Sequence, residues 1–131
     1  CEVNKLKNIE FTGNKERVEA LNIVKHSKFL VVPSTAYEVY PYTVIEGMLL
    51  GKPVIGSDFA AFPEVIKNNE NGFLFKPGSV HELKEIIRNL YDDDGTINEL
   101  GSNALSNGAK FTDQDSYYEK VENVFRKLQL M

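Results

Sequence analysis

The chain has 131 residues, 42% of them hydrophobic and 26% charged, which suits one domain with a core large enough to fold without disulfide or metal staples. Its formal net charge of −4, with Lys and Arg scattered among the acids, provides no basic field for nucleic acid or an anionic membrane surface. The lone cysteine, Cys1, cannot form an internal disulfide and suits a reducing compartment, and one Cys with two His falls short of a standard zinc set.

No apolar run approaches the roughly 18 residues of a membrane span. The polar N-terminus lacks the apolar segment of a secretory signal, so a cytoplasmic location is expected, with the inner membrane surface open through a segment outside the chain. A start at Cys1 instead of Met reads as an excised segment.

In chain order, Asn8 to Thr12 reads as a short strand closed by Gly13. Val18, Leu21, Ile23 and Val24 then recur at near-helical spacing through about His26. Phe29 to Val32 is a continuous β-favouring run, the pattern of a strand covered on both faces, and Pro33 ends it. A helix is expected from Pro41, as its first residue, through Leu50 to a stop at Gly51. Pro53 to Gly56 reads as a buried strand, Phe62 to Lys67 as a short helix and Gly72 to Phe75 as another strand.

Strands alternating with helices over short loops imply βαβ units, hence an α/β fold with a parallel sheet. Ligands of such sheets bind beyond the carboxyl ends of the strands. That places interest on Gly13, on Ser34 through Tyr40, on Ser57-Asp58 and on the loop at Lys76.

The second half reads as helical. Ser79 with Glu82 forms a capping box before the face Leu83, Ile86, Ile87 and Leu90, and Thr96 with Glu99 repeats the device. Ser116 with Glu119 is expected to open a last helix carrying Tyr117, Val121, Val124, Phe125 and Leu128. The acidic run Asp92-Asp93-Asp94 fits a solvated helix end or an ion site.

The stretch from Pro33 to Met48 holds two glutamates, Glu38 and Glu46, separated by seven residues. In one continuous helix they would stand about 80° apart, at about 100° per residue, a poor shared face. Pro41 starts the helix between them, leaving Glu38 in the loop. The helix N-terminus then offers the amides of Tyr42, Thr43 and Val44 to an anion such as a diphosphate. Glu46 could accept hydrogen bonds from ribose hydroxyls and Glu38 from sugar hydroxyls; equally, both fit solvated surface acids. Ser34 ends a strand at this edge, where a cap or turn role is open too. Asp58, Lys52, His26 and His81 read first as turn or surface residues.

The run Pro-Ser-x3-Glu-x7-Glu-Gly-Met-x2-Gly-Lys-Pro-Val-Ile-Gly-Ser-Asp, ending at Asp58, resembles the donor-binding signature of retaining GT-B glycosyltransferases. The resemblance continues through Phe62 to Ile66, Asn71 to Phe75 and Pro77-Gly78, and back to Phe11-Thr12-Gly13, so it spans nearly the whole chain. It implies that residues 1–131 are part of a Rossmann-like C-terminal domain of a GT-B fold that binds a nucleoside diphosphate sugar.

The same resemblance implies that Glu38 lies near the transferred sugar as the catalytic residue and that Glu46 binds the ribose. Backbone amides of Val39 and Tyr40 would approach the diphosphate or sugar, since Pro41 has no N–H. Gly-Phe often follows the first glutamate in the family; Val39-Tyr40 stands there in this chain. Gly13 would lie near the base and Ser34 near the donor.

No metal or other cofactor is implied, and the acceptor would be a glycan or lipid-linked saccharide. The family's Arg and Lys after its first strand have no counterpart in this sequence. Two strands and the acceptor-binding N-terminal half are therefore expected to lie outside the chain. Without them, the strands at Ile9–Phe11 and Phe29–Val32 would pair directly or the fragment would self-associate. A noncatalytic nucleotide-binding or interaction domain is the alternative.

Overall fold

The computed structural model describes residues 6–127, apart from the side chains of several residues in the last helix. In chain order the elements are α1 (Arg17–Lys25), β1 (Leu30–Val32), α2 (Tyr42–Leu49), β2 (Val54–Ser57) and α3 (Phe62–Val65). They continue with β3 (Gly72–Phe75), α4 (Val80–Tyr91), α5 (Asp94–Ala109) and α6 (Gln114–Lys127). The described strands form one parallel sheet in the order β1-β2-β3, with Val31 beside Ile55 and Ile55 beside Phe73.

Side chains alternate across this sheet and split the core into two layers. Leu30, Val32, Val54 and Leu74 face α2 and α3, where Val44, Ile45, Met48, Phe62, Val65 and Ile66 are buried. Val31, Ile55, Phe73 and Phe75 face Leu83, Ile86, Ile87 and Leu90 of α4 and Ile97 and Leu100 of α5. Helix α5 serves both layers, because Ala104, two turns after Ile97, reaches the first cluster. Both faces of β2 are thus covered, and all of its residues are buried without alternation.

Gly72 sets the spacing between β2 and β3. A Cβ there would stand 2.1 Å from the Val54 carbonyl oxygen, so only glycine allows this approach.

Several expectations are corrected. Residues 8–12 are irregular, not a strand, and Ile9 and Phe11 are 47% and 72% exposed. A strand needs a ladder partner as well as β-favouring side chains, and none of the described strands pairs with this segment. Direct pairing of that segment with Phe29–Val32 is therefore not formed, and β1 is an edge of the described sheet.

Pro41 is the cap residue of α2, not its first helical residue: its ψ of 72° lies outside the helical well while its carbonyl accepts from the Ile45 amide. In α1, Val18 and Ile23 face solvent, while Leu21 and Val24 turn partly inward.

Ser79 does cap α4, accepting from the Glu82 amide, but the Glu82 carboxylate accepts from the Lys76 amide, outside the capping box. At α5 the cap is Asp93, not Thr96: Asp93 accepts from both the amide and the hydroxyl of Thr96. Helix α6 begins at Gln114, two residues before Ser116, and Val124 on its expected apolar face is exposed. The side chains of Ser116, Tyr117 and Phe125, and the whole of Leu128, lie outside the described residues.

Candidate functional site

Because the strands are parallel, Val32, Ser57 and Phe75 end on one edge, and the loops that follow them gather there. Two contacts tie these loops together. The Asp58 amide donates to the Phe75 carbonyl at 2.7 Å, joining the ends of β2 and β3. The Tyr37 ring meets the Phe59 ring edge-on, 6.2 Å between centroids and 87° between planes, joining the loops after β1 and β2. Ala60, next in that second loop, holds a φ of 51° without being glycine, a left-handed conformation of the sort that persists only where surrounding structure enforces it.

Within the β1–α2 loop, Ser34 Oγ accepts from the Ala36 amide at 3.2 Å, so the hydroxyl forms a turn at the strand end. Glu38 is half-buried and makes no hydrogen bond or ion pair among the described residues. Val39 is 83% exposed, and the amides of Val39 and Tyr40 have no backbone acceptor among the described residues. The Tyr40 hydroxyl donates to the Phe111 carbonyl at 3.3 Å and its ring lies 4.7 Å from that of Tyr42. This anchors the loop to the end of α5.

The amides at the start of α2 are only partly available. Tyr42, expected to be free, donates to the Tyr40 carbonyl at 3.0 Å in a tight turn. Thr43 and Val44 have no backbone acceptor among the described residues, as first-turn amides generally do not.

Glu46 lies one turn further on, on the side of α2 opposite the buried Val44, Ile45 and Met48. Its Oε1 accepts from Arg17 Nη2 at 2.5 Å. The pair spans α1 and α2 at the rim of a cavity of about 230 Å³, floored by Leu21, Val24 and Leu30, with Thr43 also on the rim. Gly13 has a φ of +67° and open surroundings: among the described residues beyond its chain neighbours, no atom lies within 4 Å of where a Cβ would be. It is thus placed by chain direction, not packed against the other site residues.

The strand-end loops therefore bring Glu38, Val39, Tyr40 and Ser34 into one segment, with Glu46 on the helix it leads into. Arg17 was not among the residues the sequence singled out. The signal was there: a cation in the first turn of a helix, where the macrodipole disfavours it.

A second cavity, about 540 Å³, lies at the opposite end of the sheet, between Lys28, Gly51-Lys52 and α5. Lys28 there bonds Asp94 at 2.8 Å, which raises its pKa above the ordinary lysine value. It is the larger of the two, but it opens at the amino ends of the strands, away from where parallel sheets bind ligands. Among the described residues no group of three or more His, Cys, Asp or Glu is arranged to hold a metal, and no helix is long and apolar enough to cross a membrane.

Comparison with known proteins identifies the family and the fold. Residues 2–107 match the family model described as glycosyl transferases group 1. An uncharacterized glycosyltransferase of Methanocaldococcus jannaschii is 32% identical over 109 residues, covering 83% of this chain and 31% of its own. The poly(ribitol-phosphate) alpha-N-acetylglucosaminyltransferase of Staphylococcus aureus is 31% identical over 97 residues, 73% of this chain and 20% of its own. Among solved structures, Anabaena HepE in complex with UDP-glucose superposes with a TM-score of 0.77 at 25% identity, covering 94% of this chain and 34% of that one. The chain thus spans about a third or less of the length of these relatives.

Proposed function

The chain belongs to the glycosyl transferases group 1 family, and from that premise we propose that it binds the nucleoside diphosphate sugar of a retaining hexosyltransferase. The observation that carries this reading is the site at the carboxyl ends of the strands. Among the described residues Glu38 has no partner there, the amides of Val39 and Tyr40 are free of backbone acceptors, and Glu46 follows on the helix that the same loop enters.

In this reading the Glu46 carboxylate accepts from the ribose diol. The amides of Val39 and Tyr40, with the first turn of α2, face the diphosphate. Glu38 accepts from hydroxyls of the transferred sugar, the Ser34 turn shapes the loop, and the Gly13 segment borders the base. The bond from the anomeric carbon to the phosphate oxygen breaks. A bond to the acceptor hydroxyl oxygen forms on the same face, and the hydroxyl proton passes to the departing diphosphate. No protein nucleophile and no metal are needed for these steps. The acceptor, a glycan or lipid-linked saccharide, and the Arg and Lys that follow the family's first strand would come from the rest of such an enzyme, at the cytoplasmic side of the membrane.

Calorimetric titration of the full-length protein with UDP, ADP and GDP tests this. Glu46→Ala is expected to weaken the nucleotide that binds by about ten- to a hundredfold, as for loss of a hydrogen bond to a charged group. Unchanged affinity overturns the assignment. Binding that is lost in this variant, in a protein that never transfers sugar, would favour a noncatalytic nucleotide-binding domain.

A further inference from the structure

We propose that Arg17 is a second donor-binding residue, one that exchanges partners. Its guanidinium holds Glu46 while the site is empty and turns to the diphosphate when a donor takes the carboxylate. This rests on the reading of Glu46 as the ribose ligand.

Three observations carry it. First, Arg17 Nη2 donates to Glu46 Oε1, linking side chains 29 positions apart across α1 and α2. Second, the side chain of Arg17 is 76% exposed and that of Glu46 32%. An ion pair so open to water is weak and easily exchanged, unlike a buried one. Third, Arg17 is the first residue of α1, whose cap residue Glu16 makes no side-chain cap bond. A cation there opposes the helix dipole. Departures from local preference of this kind concentrate at functional positions.

The chemistry of a nucleotide then favours an exchange. A vicinal diol donates two hydrogen bonds and is best met by both oxygens of a carboxylate. Oε1 already accepts from Arg17, so the diol competes with the guanidinium for it, and a weak, exposed pair yields readily. Thr43, in the first turn of α2, lines the same cavity as Arg17 and Glu46, and its amide has no backbone acceptor among the described residues. A diphosphate at that turn lies on the rim Arg17 shares, and phosphate oxygens suit the planar donor array of a guanidinium. The nearest acid on its own helix, Glu19, is already paired with Lys15 at 2.7 Å.

The exchange gives opposite signs for ligands with and without phosphate. Uridine and UDP, guanosine and GDP, and adenosine and ADP would be titrated into the full-length protein, Arg17→Ala and Arg17→Lys, with circular dichroism to verify folding. For the pair that binds, Arg17→Ala is expected to tighten the nucleoside about two- to fivefold, because the carboxylate is released from a weak surface pair. The same variant is expected to weaken the diphosphate about tenfold or more, and Arg17→Lys to recover part of that loss. Equal weakening of both ligands would make Arg17 a simple prop for Glu46 and overturn the exchange, as would no change in either. Should Glu46→Ala leave both ligands unaffected, the ribose assignment itself fails, whatever Arg17 does. Failure of all three pairs to bind the unaltered protein overturns both.

Discussion

Gly101 of α5 sits against the backbone of Gly51: a Cβ at Gly101 would stand 2.4 Å from the Gly51 carbonyl oxygen and 3.6 Å from Pro53 Cδ. Gly51 itself has a φ of +70°, so the turn after α2 and the middle of α5 meet through two residues without side chains. That approach lets α5 reach both core layers. Helix propensity alone favours Gly101→Ala by about 1 kcal/mol. The contact reverses the sign, because the atom in the way is backbone and cannot rotate aside. A loss of about 1–3 kcal/mol is expected, read as a fall in Tm of roughly 4–10 °C. Gly95→Ala is the control: its Cβ would meet only Asp93 Oδ1, at an ordinary 3.5 Å, and should be neutral or slightly stabilising. Equal effects from the two substitutions would refute the close packing of α5.

Glu38 has no hydrogen-bonded or charged partner among the described residues and lies in a loop. Glu38→Gln keeps its size and removes its charge, so stability should change by less than about 0.5 kcal/mol. In the full-length protein the proposed contact with sugar hydroxyls predicts a fall in turnover of about ten- to a hundredfold. A thermal melt paired with a transfer assay separates the two effects. A large loss of Tm with turnover unchanged would make Glu38 structural.

Much of this was legible in the sequence because it is governed by local chemistry. The half-buried strand Leu30–Val32 and the start of the buried strand Val54–Ser57 announce themselves as apolar runs, and Gly51 marks where α2 stops. The α/β class follows from that alternation, and so does the site edge. The misses have a common cause: each depended on a partner elsewhere. Asn8 to Thr12 has strand-forming side chains but no ladder among the described residues. Asp93 and Thr96 are both cap formers three positions apart, and the cap falls to whichever residue the chain turns at, which Thr96 then serves as donor. The Arg17–Glu46 contact joins positions 29 apart and exists only once α1 lies beside α2. The strained φ of Ala60 likewise leaves no trace in a residue type that usually marks a helix.

Ser57 closes β2 with its hydroxyl fully buried and without a hydrogen-bond partner among the described residues. By the alternation of the strand it faces the layer of Ile55, and Phe75 is its neighbour on β3. An unpaired buried hydroxyl costs stability, so its removal should help despite the small void it leaves. Ser57→Ala is expected to be neutral or stabilising by up to about 1 kcal/mol in denaturant unfolding. A clear destabilisation would mean that the hydroxyl is satisfied in solution.

Asp93 gives the fold an acid-sensitive element. Its Oδ1 accepts from the Thr96 amide at 2.9 Å and its Oδ2 from the Thr96 hydroxyl at 2.7 Å. The amide bond first, then the hydroxyl bond, holds the carboxyl below its ordinary value of 3.8. The folded pKa is depressed relative to the unfolded chain, so this stabilisation is complete above the unfolded value and is lost as pH falls through the folded one. The window therefore opens just below about pH 4 and extends downward. Asp93→Asn retains an oxygen that can accept from the amide but does not titrate there, so it separates charge from capping. Other carboxylates titrate in both proteins, and the difference between their melting temperatures isolates Asp93. That difference should favour the unaltered protein at pH 7 and shrink steadily from pH 4 to pH 2. A difference that stays constant across this range would show that the charge of Asp93 contributes nothing to the cap.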